Sequence, residues 1–90
     1  MSEVSRIVQI VNQRGLHARA SAKFVTIASG LGVQVQVEKD GSSVVGTSIM
    51  GLMMLGAAMG DHVTISATGD GAGPAVATLA ELVEAKFGED

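Results

Sequence analysis

The sequence predicts an α+β fold, a four-stranded antiparallel sheet with one polar face and with three helices covering the other. Three observations lead there. Residues 33–38 read VQVQVE, an alternation without a fault, which is the pattern of a half-buried strand with Val33, Val35 and Val37 inward. Lys39-Asp40-Gly41-Ser42 then supplies hairpin turn chemistry, so that residues 43–45 return as a short antiparallel partner. Helical patterns alternate with the remaining strands, and a sheet with one apolar face buries it under such helices.

The elements follow in order. Residues 4–11, VSRIVQIV, are β-branched and roughly alternating, and NQRG after them reads as a turn. Residues 17–29, HARASAKFVTIAS, gather Phe24, Val25, Ile27 and Ala28 on one side of a helix that Gly30 and Gly32 end. After the hairpin, Thr47 or Ser48 caps a short helix, SIMGLMML, which stops near Gly56. Residues 61–67, DHVTISA, alternate again as a strand. Pro74 suits the first turn of a last helix whose inward stripe is Val76, Leu79, Leu82, Val83 and Phe87. The order is β-α-β-β-α-β-α in one domain spanning residues 1–90, and periodicity leaves the order of strands within the sheet open.

Composition narrows the function. Ninety residues bury a modest core and leave little room for catalytic machinery on long loops. Six Lys or Arg against nine Asp or Glu give a formal charge of −3, which argues against nucleic acid or an anionic membrane as the main partner. With no cysteine there is no disulfide, thiolate metal site or cysteine nucleophile. Two phenylalanines are the only aromatics, too few for a base-stacking platform. The segment MSEVSR lacks the basic and apolar regions of a signal peptide, and no apolar run is long enough to span a bilayer, so a cytoplasmic protein is expected.

The chemistry centres on QRGLHARAS, residues 13–21, where a strand hands over to a helix. With His17 at the cap or in the first turn, the helix offers N–H groups without internal partners and the positive end of its dipole. The amides of Ala18, Arg19 and Ala20 and the guanidinium of Arg19 are candidate ligands for an anion near, or on, the imidazole. A neutral imidazole is nucleophilic, and a phosphorylated ring nitrogen passes its group on readily, which suits a carrier. Local sequence alone also fits an ordinary exposed histidine, a ring that only caps the helix, or a metal ligand.

GLHARAS resembles the active-site segment of the histidine-containing phosphocarrier (HPr-like) proteins of the bacterial phosphoenolpyruvate-dependent phosphotransferase system, usually GLHARPA. The likeness continues in SIMGLM and Leu55-Gly56, similar to that family's second-helix segment, and length and element order agree across nearly the whole chain. The resemblance implies an open-faced β-sandwich with sheet order 1-4-2-3. It implies that His17 takes a phosphoryl group on Nδ1 from enzyme I, whose source is phosphoenolpyruvate, and gives it to an EIIA domain, with Arg19 steadying the phosphate. It further implies docking by Ile49 and Met50, core positions for Leu52 and Leu55, and regulation at Ser48 by a bifunctional HPr kinase/phosphorylase found with some members. No cofactor or metal is called for, and a monomer is expected. Two other classes remain: a relative that keeps the fold but regulates partners by docking, and an unrelated anion-binding module.

Ala20 departs from the family's usual proline. Function is expected to survive the change, with an altered phosphoryl lifetime or partner preference. Ala20 and the Gly- and Met-rich second helix lean toward the nitrogen-related or otherwise regulatory branch over sugar uptake. The other chemical-looking residues read as solvent-facing. His62 follows a turn at a strand edge, Gly69, Gly71 and Gly73 form a turn into the last helix, Glu81, Glu84, Glu89 and Asp90 are a solvated face and tail, and Arg14 sits at the rim of the histidine site.

Overall fold

The computed structural model describes residues 3–89; Met1, Ser2 and Asp90, included in the one-domain and tail readings, lie outside the described residues. Four strands, β1 (Glu3–Gln9), β2 (Val35–Lys39), β3 (Ser42–Val45) and β4 (His62–Thr68), alternate with helices α1 (Ala18–Ser29), α2 (Ile49–Met54) and α3 (Ala72–Glu84). A 3-10 turn, Lys86–Gly88, follows α3. The sheet order is β1-β4-β2-β3 and every pairing is antiparallel. Element order and sheet order are those expected.

Alternation decides which face meets the helices. Val8 pairs with Val63, Val35 with Ala67 and Val37 with Ile65, and all six side chains are buried on the covered face. Helix α3 lies on β1 and β4, and α1 packs against both α2 and α3. Phe24 from α1, Leu52 from α2, and Val76, Leu79 and Val83 from α3 complete the core with Ile10 and Phe87. At about 1.5–3 kcal/mol per fully buried large apolar side chain, this layer is the main term holding so small a domain together. On the open face Ile7 is exposed at 68 %.

Several expectations need adjusting. Strand β2 starts at Val35, and Val33 is only half-buried, because the chain is still turning out of α1 there. Strand β1 ends at Gln9, where Ile10 leaves the ladder to bond the loop before β4: its N–H donates to Asp61 O (2.8 Å) and its carbonyl accepts from Gly60 N–H (2.8 Å). Leu82 is half-buried at the flank of α3, and its place in the stripe is taken by Ala72, Ala75 and Ala80. Phe87 reaches the core from beyond the helix, held at φ 55 in the 3-10 turn.

Candidate functional site

The loop between β1 and α1 is pinned before the helix begins. Gly15 adopts φ 65, and a Cβ there would lie 2.3 Å from the carbonyl oxygen of Ala57, so only glycine fits. That close approach lets Leu16 N–H donate to the same carbonyl at 3.0 Å and buries the Leu16 side chain. His17 follows as the N-cap of α1, with extended backbone (φ −74, ψ −179). Its Nδ1 accepts from Arg19 N–H at 3.3 Å. Ser21 N–H donates to His17 O at 2.9 Å, so the amides of Ala18, Arg19 and Ala20 precede the helical ladder.

Behind the ring stands a residue that sequence reasoning placed in solvent. Glu89 Oε2 lies 2.6 Å from His17 Nε2, and Glu89 Oε1 accepts from Asn12 Nδ2 at 3.1 Å. Asn12 is buried and also donates to Gly15 O at 2.9 Å, so its amide is oriented by two acceptors. An ionised carboxylate only accepts, so the short contact places the ring proton on Nε2 and leaves the Nδ1 lone pair toward Arg19 N–H. Both hydrogen bonds of the ring therefore describe one tautomer. The hydrogen bond from His17 is the first cause holding the Glu89 carboxyl below its ordinary 4.5, helped by Asn12 and the charges of His17 and Arg14 and opposed by desolvation.

Glu89 arrives there by an uncommon backbone path. Lys86, Phe87 and Gly88 have φ of 59, 55 and 76, a left-handed stretch that turns the chain back after α3. Each non-glycine residue in that region costs about 1–2 kcal/mol. Burial of Phe87, at 1 % exposure, and donation from Lys23 Nζ to Phe87 O at 2.8 Å offset the cost. The reading of Glu89 as solvated tail is thus corrected.

Together these elements enclose an open cleft lined by Gln13, Arg14, His17, Arg19, Lys23, Gly88 and Glu89. Three of the six cationic side chains of an acidic protein meet here. Arg14 and Lys23 join Arg19, while the sequence signal had singled out Arg19 alone. Ala20 is buried at the third helical position, pointing its methyl into the core. The arrangement can hold a dianion beside a nucleophilic nitrogen.

Ser48, Ile49 and Met50 lie at the start of α2. Ser48 caps it, its Oγ accepting from Gly51 N–H at 2.9 Å. Ile49 and Met50 are exposed at 40 % and 69 %, with Met53 and Met54 also outward, while Leu52 and Leu55 are buried.

An open-faced β-sandwich with a histidine capping its first helix at a cationic cleft defines a class of small anion-handling domains. The family can be stated more closely. A model described as "PTS HPr component phosphorylation site" matches residues 4–85. The phosphocarrier protein HPr of Neisseria meningitidis is 45 % identical over 82 residues, covering 91 % of this chain and 92 % of that one. The phosphocarrier protein NPr of Shewanella violacea is 35 % identical over 89 residues, 99 % and 98 % of the two chains. The crystal structure of HPr-C-His from Thermoanaerobacter tengcongensis superposes with a TM-score of 0.88 at 47 % identity, covering 100 % of this chain and 99 % of that one. The chain belongs to the HPr family of phosphocarriers of the phosphotransferase system.

Proposed function

We propose that His17 accepts a phosphoryl group on Nδ1 from phosphorylated enzyme I and delivers it to an EIIA-type domain. The observation that carries this reading is the Nδ1 lone pair at the start of α1, inside a cleft that holds Arg14, Arg19 and Lys23. The lone pair attacks phosphorus, the N–P bond forms, and the bond to the donor breaks with its electron pair leaving on the donor. The new phosphoryl oxygens take the amides of Ala18, Arg19 and Ala20 and the guanidinium of Arg19 as donors, in place of the single contact from Arg19 N–H to Nδ1. Phosphoenolpyruvate is the source upstream of enzyme I, and the carrier itself needs no cofactor.

Partner docking in this reading uses the exposed Ile49 and Met50, whose neighbour Met54 is 79 % exposed. Flexible thioether side chains suit a face that meets an enzyme I and an EIIA domain in turn. Phosphorylation of Ser48 by a bifunctional HPr kinase/phosphorylase would add nearly two charges beside that apolar face and oppose docking. No helix among the described residues is long and apolar enough to cross a membrane. The reading places the carrier in the cytoplasm as a monomer. Relatives named HPr and one named NPr both match, so the nitrogen-related or regulatory lean rests on Ala20 and the Met-rich α2.

The test is incubation with phosphoenolpyruvate and catalytic enzyme I from the same host, followed by mass spectrometry under alkaline conditions. One acid-labile phosphoryl group on His17, absent in His17→Ala, is expected. A chain that stays unlabelled while a control carrier is labelled would instead support the second reading, a regulator that acts by docking through α2.

A further inference from the structure

We infer that Glu89 is a positioning residue for His17: held by Asn12, its carboxylate keeps the imidazole proton on Nε2 so that Nδ1 alone is the reacting nitrogen. The inference deepens the proposed carrier chemistry and rests on it for its consequence, while the geometry stands by itself. Glu89 Oε2 faces Nε2 at 2.6 Å, and Oε1 is fixed by a buried amide at 3.1 Å. The carboxylate thus has one oxygen for orientation and one for the ring. The side chains of His17 and Glu89 are only 21 % and 22 % exposed, so water competes weakly for the contact. Buried Phe87, and Lys23 bonded to its carbonyl, hold the left-handed turn that delivers Glu89.

The arrangement serves both directions of transfer. When Nδ1 attacks phosphorus, the ring gains positive charge, and the carboxylate across the ring neutralises it without contacting the phosphoryl group. When the group leaves, the N–P electron pair returns to Nδ1. Because Nε2 still carries its proton, the ring departs as neutral imidazole and not as imidazolate. One proton stays between Nε2 and Glu89 throughout, and no external acid or base is needed.

The experiment compares wild type, Glu89→Gln and Glu89→Ala by nitrogen-15 spectroscopy of the histidine ring, in protein at a pH where the imidazole is neutral. Wild type is expected to show Nε2 protonated and Nδ1 bare. Glu89→Gln, whose amide oxygen can still accept, is expected to keep that tautomer, and Glu89→Ala to show a mixture. Acceptance of the phosphoryl group from phosphorylated enzyme I is expected to slow about tenfold in Glu89→Gln and further in Glu89→Ala, the scale on which hydrogen-bond partners of metal-binding histidines act. The same tautomer distribution in wild type and Glu89→Ala would overturn the inference, as would an unchanged rate of acceptance in both variants. A wild type with the expected tautomer that accepts no phosphate would count against the carrier reading and leave the pairing of Glu89 with His17 established.

Discussion

Two helix starts in this molecule use the same backbone device for opposite purposes. At α1 the cap is His17, whose ring accepts from Arg19 N–H at 3.3 Å; at α2 it is Ser48, whose hydroxyl accepts from Gly51 N–H at 2.9 Å. The serine cap is local, three residues from its partner. The histidine cap depends on distant chain: Leu16 is bonded to Ala57, and Glu89 holds the far side of the ring from 72 residues away. Around α1 gather Arg14, Arg19 and Lys23, and around α2 the exposed Ile49, Met50 and Met54. A helix N-terminus supplies positive potential in both places, and the side chains around it decide whether the result is a site for an anion or an apolar face for a partner.

That contrast can be broken at several points. The largest effect is expected from Gly15→Ala, which drives a Cβ into the Ala57 carbonyl and forces a positive φ on alanine. Global stability should fall by about 3 kcal/mol in denaturant titration, and the His17 cap should loosen with it. Arg19→Ala leaves the fold intact and removes a charge from the first cleft only. Phosphoryl acceptance should slow about a hundredfold, the usual scale for losing one stabiliser of a developing anion. An unchanged rate would place the stabilising charge on Arg14 or Lys23.

Ser48→Ala sharpens the comparison from the other side. Loss of the hydroxyl should cost about 1 kcal/mol of stability and leave labelling of His17 at its original rate, since the second cap takes no part in the chemistry. The smallest effect concerns Glu89. A carboxyl held below its ordinary 4.5 contributes stability that is complete above that value and is lost as the pH falls through the depressed one. Carbon-13 titration of Glu89 should therefore give a midpoint below 4.5 that moves upward in His17→Ala, where the leading cause is gone. A midpoint identical in the two proteins would show that the ring does not bear on the carboxylate.

The contrast between the caps also marks what could be read from sequence. VQVQVE, the KDGS turn and DHVTISA have periods of two and local turn chemistry, and each became the strand or hairpin expected, within a residue or two. The inward and outward sides of α2 were legible through the family resemblance of SIMGLM, since the eight positions of SIMGLMML, with almost no polar residue, carry no periodicity of their own. The strand-to-helix handover drew attention to His17, and the resemblance of GLHARAS gave it a role. Glu89 and Asn12 were not, because no spacing relates residue 12 to residue 89. The path that joins them runs through Lys86 and Phe87 at positive φ, a conformation their side chains disfavour, and burial of Phe87 imposes it only once the core exists. Lys23 belongs to the same class, an exposed helix lysine until the turn after α3 brings a carbonyl to its ammonium.

The most direct test of the account is to determine which ring nitrogen carries phosphate. After labelling by phosphoenolpyruvate and enzyme I, the nitrogen-to-phosphorus coupling in ring-labelled protein identifies the bonded atom. Phosphate on Nδ1 of His17, with Nε2 still protonated, is the predicted result. Phosphate on Nε2, or on any other residue, would contradict it, because Glu89 would then occupy the position from which the reaction takes place.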